Sequence, residues 1–153
     1  MSKQRTSFIF ERGDKMTRRE LRENVFKMLF RVEFFDEGEL AEQLELFGEE
    51  AEHLKGADIA QIADRYHAIY EHITEIDTAI NDAAKRWKTS RMGKVDLAII
   101  RLAVYEIRYD SEVPFKVAVN EAVELAKKYG TDDSPAFVNG ILARFAGEQP
   151  GEA

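Results

Sequence analysis

The sequence predicts an all-α fold of six or seven helices, and three observations support this. Only three prolines occur in 153 residues, the first at position 114, and proline disrupts helix interiors. Apolar residues recur at three- and four-residue spacing in successive segments. One segment, residues 95–109, is apolar nearly all round, which is typical of a helix surrounded by others. The length suits one domain.

The first helix is predicted to begin at Thr17 and to end near Phe35, before the Asp36-Glu37-Gly38 stretch. Thr17 and Glu20 fit the capping-box pattern, in which each side chain bonds the backbone N–H of the other residue. One apolar stripe follows at helical spacing: Leu21, Val25, Met28, Leu29 and Val32.

A short second helix is predicted over about 39–47, with Gly48 as its stop. The third is predicted to start near Asp58, a suitable N-cap after Gly56. Its apolar repeat continues without a breaker to Trp87, so residues 58–87 form one long helix or two helices with a bend.

The fourth helix is predicted over about Val95 to Tyr109 and forms the centre of the core. Many of its residues are β-branched, so a strand is the rival interpretation, but fifteen residues is long for a strand. No repeat period stands out in the chain as a whole.

The fifth helix is predicted to begin at Pro114, where a missing N–H costs nothing, and to end at Gly130. The sixth starts with Ser134 as N-cap and Pro135 at the first helical position. Residues 1–16 lack a helical pattern and are predicted to be a flexible extension, followed by a single domain over residues 17–153.

Several classes of protein are excluded or disfavoured. The chain has no cysteine, which rules out disulfide scaffolds, thiolate metal sites and cysteine nucleophiles. It has no membrane-length apolar run and no apolar signal segment, so we expect a cytoplasmic protein. No histidine-pair metal motif, nucleophile elbow or phosphate loop occurs, so we expect no metal, no cofactor and no catalytic residue.

Charge is distributed unevenly along the chain. The formal net charge of −7 argues, as an average, against nucleic-acid binding. By segment, however, residues 1–31 carry +5, residues 32–82 carry −13 and residues 83–153 carry +1. Such asymmetry points to an interaction surface. The acidic middle is either a solvated face, a surface that repels nucleic acid, or a site for a basic partner.

Arginines crowd the first turn of helix one, where cations oppose the helix dipole. Arg18, Arg19 and Arg22 make local sense there if a phosphate backbone binds, because arginine grips phosphate with two hydrogen bonds. Phenylalanines on the same helix can stack on unpaired bases if they are exposed. The alternative is a solvated arginine face partly neutralised by Glu20 and Glu23.

The stretch from Thr131 to Gly140 has two interpretations. It is a capped loop between helices, or its Asp133 and Ser134 side chains are exposed and hydrogen-bond base edges. Spacing alone leaves both open.

Four stretches together resemble the NusB family of transcription antitermination factors, in family order over residues 17–146. The first is Arg18-Arg19-x-x-Arg22-Glu23 followed by Lys27-x-Leu29-Phe30. The others are residues 101–106 (RLAVYE), residues 113–127 (VPFKVAVNEAVELAK) and residues 133–142 (DSPAFVNGIL).

The resemblance implies two small helical bundles packed together, at about 17–88 and 89–147. It implies a factor without enzymatic activity that binds boxA RNA, a single-stranded element, jointly with the ribosomal protein NusE. The complex acts with RNA polymerase and other Nus factors to promote read-through of terminators, notably on ribosomal RNA operons. Some members form homodimers, so this chain is either a monomer or a homodimer.

The resemblance also implies functional residues. Arg18, Arg19 and Arg22 match the family's arginine-rich RNA-binding motif, with Lys27 in place of a frequent glutamine and Phe30 in place of a frequent tyrosine. RNA contacts are also implied for Asp133, Ser134 and Phe137 in the stretch 133–142, and a NusE contact is implied for Asp96.

Two other functions remain open. The chain is a protein–protein interaction module without an RNA role, in which case its acidic middle is the working surface. Alternatively it is the regulatory domain of an RNA cytosine methyltransferase, if the sequence is a fragment, because such enzymes carry a NusB-like domain.

Overall fold

In the computed structural model, which describes residues 16–51 and 53–150, the chain folds into seven α-helices. No strand occurs within those residues, so the predicted all-α class is confirmed. The helices are α1 Arg18–Arg31, α2 Glu37–Glu50, α3 Gly56–Glu71, α4 Ile73–Ala84, α5 Lys94–Tyr109, α6 Phe115–Tyr129 and α7 Ser134–Leu142. Short 3₁₀ helices follow α4 (Thr89–Arg91) and α7 (Ala143–Phe145).

The predicted capping box at the start of α1 is confirmed. The Thr17 hydroxyl accepts from the Glu20 N–H at 3.0 Å, and the Glu20 carboxylate accepts from the Thr17 N–H at 2.8 Å. Before it, the predicted flexible extension lies outside the described residues except for Met16, which is half-buried against the core.

The predicted end of α1 at Phe35 is wrong, because the helix stops at Arg31. Asp36 has extended backbone and caps α2 in a second capping box with Glu39, so the chain must leave helical geometry first. The second helix is therefore longer than the predicted 39–47. Gly48 lies inside it rather than ending it, since an interior glycine costs only about 1 kcal/mol.

The long segment after residue 55 divides into two helices, one of the two predicted arrangements. The break lies at His72, whose ring stacks on Tyr109 with centroids 4.2 Å apart. Asp58 is not the N-cap of α3: Lys55 occupies that position, and the Asp58 carboxylate accepts from its N–H at 3.1 Å. Lys85 has a φ of 48°, in the left-handed region, so α4 ends before Trp87.

Helix α5 is the predicted central helix. It is helical throughout Lys94–Tyr109, so the rival strand interpretation is wrong. It packs against α1, α4, α6 and α7, and ten of its residues are buried. One cluster of buried apolar side chains draws on all seven helices, so α1–α4 and α5–α7 share a single core.

Helix α6 ends before Gly130, as predicted, and begins at Phe115, one residue after the predicted Pro114, which is its N-cap. The N-cap of α7 is Asp133, so the prediction of Ser134 as N-cap is wrong. Ser134 is the first helical residue and is buried, and its hydroxyl accepts from the Thr131 N–H at 3.0 Å. None of the described helices is both long enough and apolar enough to span a bilayer.

Candidate nucleic-acid interface

One side of α1 carries Arg19, Glu23, Lys27 and Phe30, which follow each other at four- and three-residue spacing and therefore share a helix face. We call these four residues the α1 face. Helix α6 lies beside it, since Glu23 contacts Lys128 and Tyr129 at the end of α6. The structure thus joins a charged helix of the N-terminal region to the C-terminal region.

Two of the predicted arginines are exposed, and each pairs with a carboxylate. Arg19 forms two parallel hydrogen bonds with Glu121, at 3.0 and 2.7 Å. These bonds raise the pKa of Arg19 and hold the pKa of the Glu121 carboxyl below its ordinary value. Arg18 lies 3.2 Å from Glu112, and both of these side chains are largely exposed. The exposed Arg18 pair contributes little to stability, so a phosphate can replace Glu112 there, whereas Glu121 is mostly covered and only the Arg19 end of its pair is exposed.

Arg22 is different, because its side chain is only 9% exposed. Its Nε donates to Glu106 at 2.9 Å, and its Nη1 lies 3.4 Å from Glu121. The sequence-based expectation of a phosphate contact from Arg22 therefore meets a side chain already engaged inside the fold. Its position at the head of α1 holds that helix against α5.

Glu106, the partner of Arg22, is a carboxylate in the core. Burial raises its pKa, and the nearby Arg22 guanidinium opposes that rise. Its Oε2 accepts from Arg22, whereas its Oε1 is buried without a hydrogen-bond partner among the described residues. Arg22 is therefore the group that makes this buried charge tolerable.

Glu23 ties the α1 face to α6. It accepts from the Tyr129 hydroxyl at 2.5 Å and lies 2.6 Å from the Lys128 Nζ. Burial alone raises the pKa of Glu23, but these two donors outweigh it and the net pKa is lowered. Sequence patterns did not place Lys128 at the candidate site, because its position beside α1 depends on a pairing with Glu23 across more than 100 residues, which no local signal reveals.

Beyond Lys27 the α1 face opens into a groove of about 680 Å³. Lys27 is exposed, and no described carboxylate lies within ion-pair distance of it. The Phe30 ring is half-buried and contacts Phe34, with centroids 5.1 Å apart. Phe34, one of the phenylalanines that the sequence suggested could stack on bases if exposed, is 55% exposed and lies after the end of α1. Cationic and aromatic groups thus share this wall.

Asp133, Ser134 and Phe137, at the end of the connection from α6 and in the first turn of α7, have different environments, and we call these three residues the α6–α7 loop. Asp133 is exposed, and no described N–H caps onto its side chain. Phe137 is half-buried and meets Trp87 edge to face, with centroids 6.3 Å apart. Buried Ser134 instead fixes the loop through Thr131. Asp133 and Phe137 are thus accessible, and Ser134 positions them.

Asp96, the predicted partner contact, lies in the first turn of α5 and is half-buried. A carboxylate at this end of a helix is favoured by the helix dipole. It lies two residues from Lys94, which pairs with Glu33 at 3.0 Å. Among the described residues, no group of three or more histidine, aspartate or glutamate side chains is arranged to hold a metal ion.

The model of the NusB family matches residues 19–147. The chain belongs to the NusB family. The resemblance seen in the sequence is thereby confirmed, and it extends through both the α1 face and the α6–α7 loop.

Two relatives are named as the transcription antitermination protein NusB. That of Agathobacter rectalis is 59% identical over 131 residues, which are 86% of this chain and all of the relative. That of Geobacter sulfurreducens is 45% identical and is matched over 93% of its length and 84% of this chain. NusB proteins act in transcription and are not enzymes, which confirms the prediction that this chain is not an enzyme.

Solved structures agree with the fold. NusB of T. maritima superposes with a TM-score of 0.77 at 35% identity, over 88% of this chain and 94% of the other. A crystal structure of a plectonemic RNA supercoil contains a chain that superposes with a TM-score of 0.69 at 27% identity, over 84% and 92%. The NusB fold therefore accounts for the arrangement of helices that builds the candidate interface.

Proposed function

We propose that this protein is an antitermination factor that binds boxA RNA through the α1 face and the α6–α7 loop, jointly with NusE. The resulting complex acts with RNA polymerase and other Nus factors in the cytoplasm, promoting read-through on ribosomal RNA operons. Membership of the NusB family supports the role in transcription. The RNA in a solved structure of the same fold supports the ligand class.

The observation that carries the proposal is the row of cations and aromatic rings along α1 and the end of α6, in which Glu23, Glu121 and Glu124 are interspersed. Arg19 and Lys27 supply exposed charge, Lys127 and Lys128 add to it from α6, and Phe30 supplies a ring. Single-stranded RNA is bound by just this combination, with cations along the phosphates and rings under the bases.

Each residue has a distinct role in the proposal. Arg18, Arg19 and Lys27 contact phosphates, and the first two exchange their carboxylate partners for them. Phe30 and Phe137 stack on bases. The Asp133 carboxylate accepts from an exocyclic amine of a base, which gives sequence preference.

The structure changes the role proposed for two predicted residues. Arg22 and Ser134 act by position: one holds α1 against Glu106, and the other holds the loop before α7. Asp96 faces NusE in the proposal, where a carboxylate suits a basic ribosomal protein.

The test is a titration of labelled boxA RNA and of a scrambled RNA, with and without NusE, at several salt concentrations. We expect boxA to be preferred and NusE to tighten its binding. The variant Arg19→Gln with Lys27→Gln removes two charges and should flatten the slope of log affinity against log salt by about 1.4. Lys55→Gln, at the start of α3, is the control for a single exposed charge and should leave the slope unchanged.

Two outcomes would contradict the proposal. Equal affinity for boxA and scrambled RNA in every condition would remove the RNA role. An unchanged complex on boxA RNA in the double variant would favour the protein–protein module instead. Asp96→Asn separates the two surfaces, because it should weaken NusE binding while leaving the affinity of the protein alone for RNA unchanged.

A further inference from the structure

The connection between α4 and α5 carries a cluster of cations around an exposed aromatic ring. Residues 85–91, which we call the Trp87 segment, have the sequence KRWKTSR, and no acidic residue occurs from position 83 to position 95. Trp87 is 51% exposed. The four basic side chains of the segment are also exposed: Lys85, Arg86, Lys88 and Arg91.

The segment is held in a defined shape by Asn81 at the end of α4. The Asn81 side chain accepts from the Thr89 N–H at 2.7 Å, and its backbone carbonyl accepts from the Lys88 Nζ at 3.2 Å. Lys85 turns the chain with its left-handed backbone. Trp87 therefore stays exposed on an anchored connection.

Charge in the Trp87 segment is unneutralised. Within residues 16–51 and 53–150, no carboxylate lies within ion-pair distance of Lys85, Arg86 or Arg91. The arginines of α1, by contrast, all have carboxylate partners. Clustered cations without acidic partners repel one another, and a polyanion would relieve this repulsion.

The segment adjoins a residue of the proposed interface. Trp87 meets Phe137 edge to face, so two rings of different orientation lie side by side at the start of α7. A strand that stacks one base on Phe137 has a second ring within reach for a neighbouring base. Tryptophan offers the largest such surface, and base stacking on aromatic rings tolerates any sequence.

We infer that the Trp87 segment is a second contact for single-stranded RNA. Trp87 stacks on a base beside the one held by Phe137, and Lys85, Arg86 and Arg91 hold the adjoining phosphates. This inference rests on the proposed RNA-binding function and extends the path of the strand from the loop before α7 to the connection before α5.

Trp87 itself provides the test, because it is the one tryptophan in the sequence. The full chain is titrated with unlabelled boxA RNA while tryptophan emission is recorded, and labelled RNA anisotropy is measured in parallel. We expect emission to be quenched with the same midpoint as the anisotropy change. The same titration of Trp87→Phe gives the signal that does not come from this ring.

Variants then measure the contribution of the segment. Trp87→Ala should weaken RNA binding between about fivefold and about 150-fold, and Trp87→Phe should recover part of the loss. Lys85→Gln with Arg86→Gln should lower the salt slope by about 1.4. The controls are Leu46→Ala, an exposed apolar side chain on α2, and Lys55→Gln. A thermal melt of each variant checks that it is folded.

The outcomes separate this inference from the proposed function. If labelled RNA binds but tryptophan emission and the affinity of Trp87→Ala stay unchanged, the inference is overturned and the proposed function stands. If NusE alone quenches Trp87 and RNA does not, the segment is a protein contact and the inference is again overturned. If no RNA binds in any condition, both fail.

Discussion

Arginines four residues apart on α1 have opposite roles because their surroundings differ. Arg18 is exposed and pairs with an exposed carboxylate, whereas Arg22 neutralises Glu106 in the interior. Removing one partner of a buried pair typically costs about 3–5 kcal/mol, and removing one of an exposed pair costs about 0–1 kcal/mol. We expect Arg22→Ala to lower the free energy of unfolding by about 3 kcal/mol and Arg18→Ala by less than about 1 kcal/mol. Urea denaturation measures both.

A second substitution shows whether the unpaired charge of Glu106 causes the loss of stability in Arg22→Ala. Glu106→Gln in the Arg22→Ala background replaces the unpaired carboxylate by a neutral amide, which is less costly to bury. Part of the lost stability should return. If the double variant is as unstable as Arg22→Ala, lost packing rather than the unpaired charge explains the effect.

Another buried arginine makes stability depend on pH. Arg101 of α5 pairs with Asp77, at 2.8 and 2.7 Å, and with Glu33, at 2.7 Å. Burial alone raises the pKa of Glu33, but hydrogen bonds from Lys94 and Arg101 outweigh it and leave the pKa lowered. A lowered pKa in the folded state gives stability above the unfolded pKa of about 4.3, lost as pH falls through the folded pKa.

Glu33→Gln therefore removes part of the acid sensitivity. Between about pH 5 and pH 3, the wild-type protein should lose more stability than the variant. Urea denaturation over this range, with Glu42→Gln on the exposed side of α2 as control, measures the difference. Equal losses in wild type and in Glu33→Gln would show that Glu33 does not contribute.

Sequence patterns predicted which residues lie at the candidate site, but not which of their side chains are exposed and which are buried. The arginine-rich start of α1 and the loop before α7 were both predicted. The burial of Arg22 depends on Glu106, which is 84 residues away. The exposure of Trp87 depends on where α4 ends. Both follow from tertiary packing, which local patterns do not contain.

At the scale of elements, prediction succeeded where the signal was local. The capping box at Thr17, the central α5, and the limits of α6 at Pro114 and Gly130 all follow from neighbouring residues. The break at His72 has no proline or glycine to mark it, and its ring stacks on Tyr109 from another helix. Because contacts of this kind set the boundary, the sequence left two alternatives for residues 58–87, one long helix or two helices with a bend.

The turn between α6 and α7 depends on a glycine for reasons of space. A Cβ on Gly130 would lie 2.4 Å from the Ser134 Oγ and 2.8 Å from the Ala126 carbonyl oxygen, so backbone must shift to accept it. We expect Gly130→Ala to lower the free energy of unfolding by about 1–3 kcal/mol, as overpacking does. Because Ser134 fixes the loop that carries Asp133, RNA affinity should fall as well.

Gly140 is the matched control for that change. It lies within α7, and nothing lies within 4 Å of an added Cβ. Gly140→Ala should stabilise the protein by about 0.5–1 kcal/mol, because alanine favours the helix. Thermal denaturation compares the two variants. Equal effects of the two substitutions would mean that the close contacts at Gly130 are relieved without cost.

At the scale of the whole molecule, the charges divide the surface into a basic side around the α1 face and an acidic side on α2. The basic start of the chain forms the α1 face, while the neighbouring α2 carries exposed Glu42, Glu45 and Glu49 on one side. The net charge of −7 hides this division, and the charge of each segment revealed it. What sequence could not show is that Lys128 of α6 lies against the α1 face, where it pairs with Glu23.

The acidic side of α2 should keep RNA from binding in wrong places, and salt tests this. The α2 carboxylates lie roughly 15 Å from the axis of α1, given ordinary helix packing distances. At that distance one charge pair is worth about 0.3 kcal/mol in water, and screening at physiological salt removes most of it. Replacing Glu42, Glu45 and Glu49 by glutamine should therefore raise affinity for scrambled RNA several-fold at about 0.01 M salt. At 0.15 M the rise should stay within about twofold.

BoxA RNA should gain less affinity than scrambled RNA in this variant, because the proposed base contacts fix where it binds, so the preference for boxA over scrambled RNA should narrow at low salt. Parallel anisotropy titrations of both RNAs measure this. An increase of the same size at both salt concentrations would mean that the acidic residues act by direct contact rather than through their long-range field. No increase at low salt would mean that the acidic middle is a solvated face, the simplest interpretation of its composition.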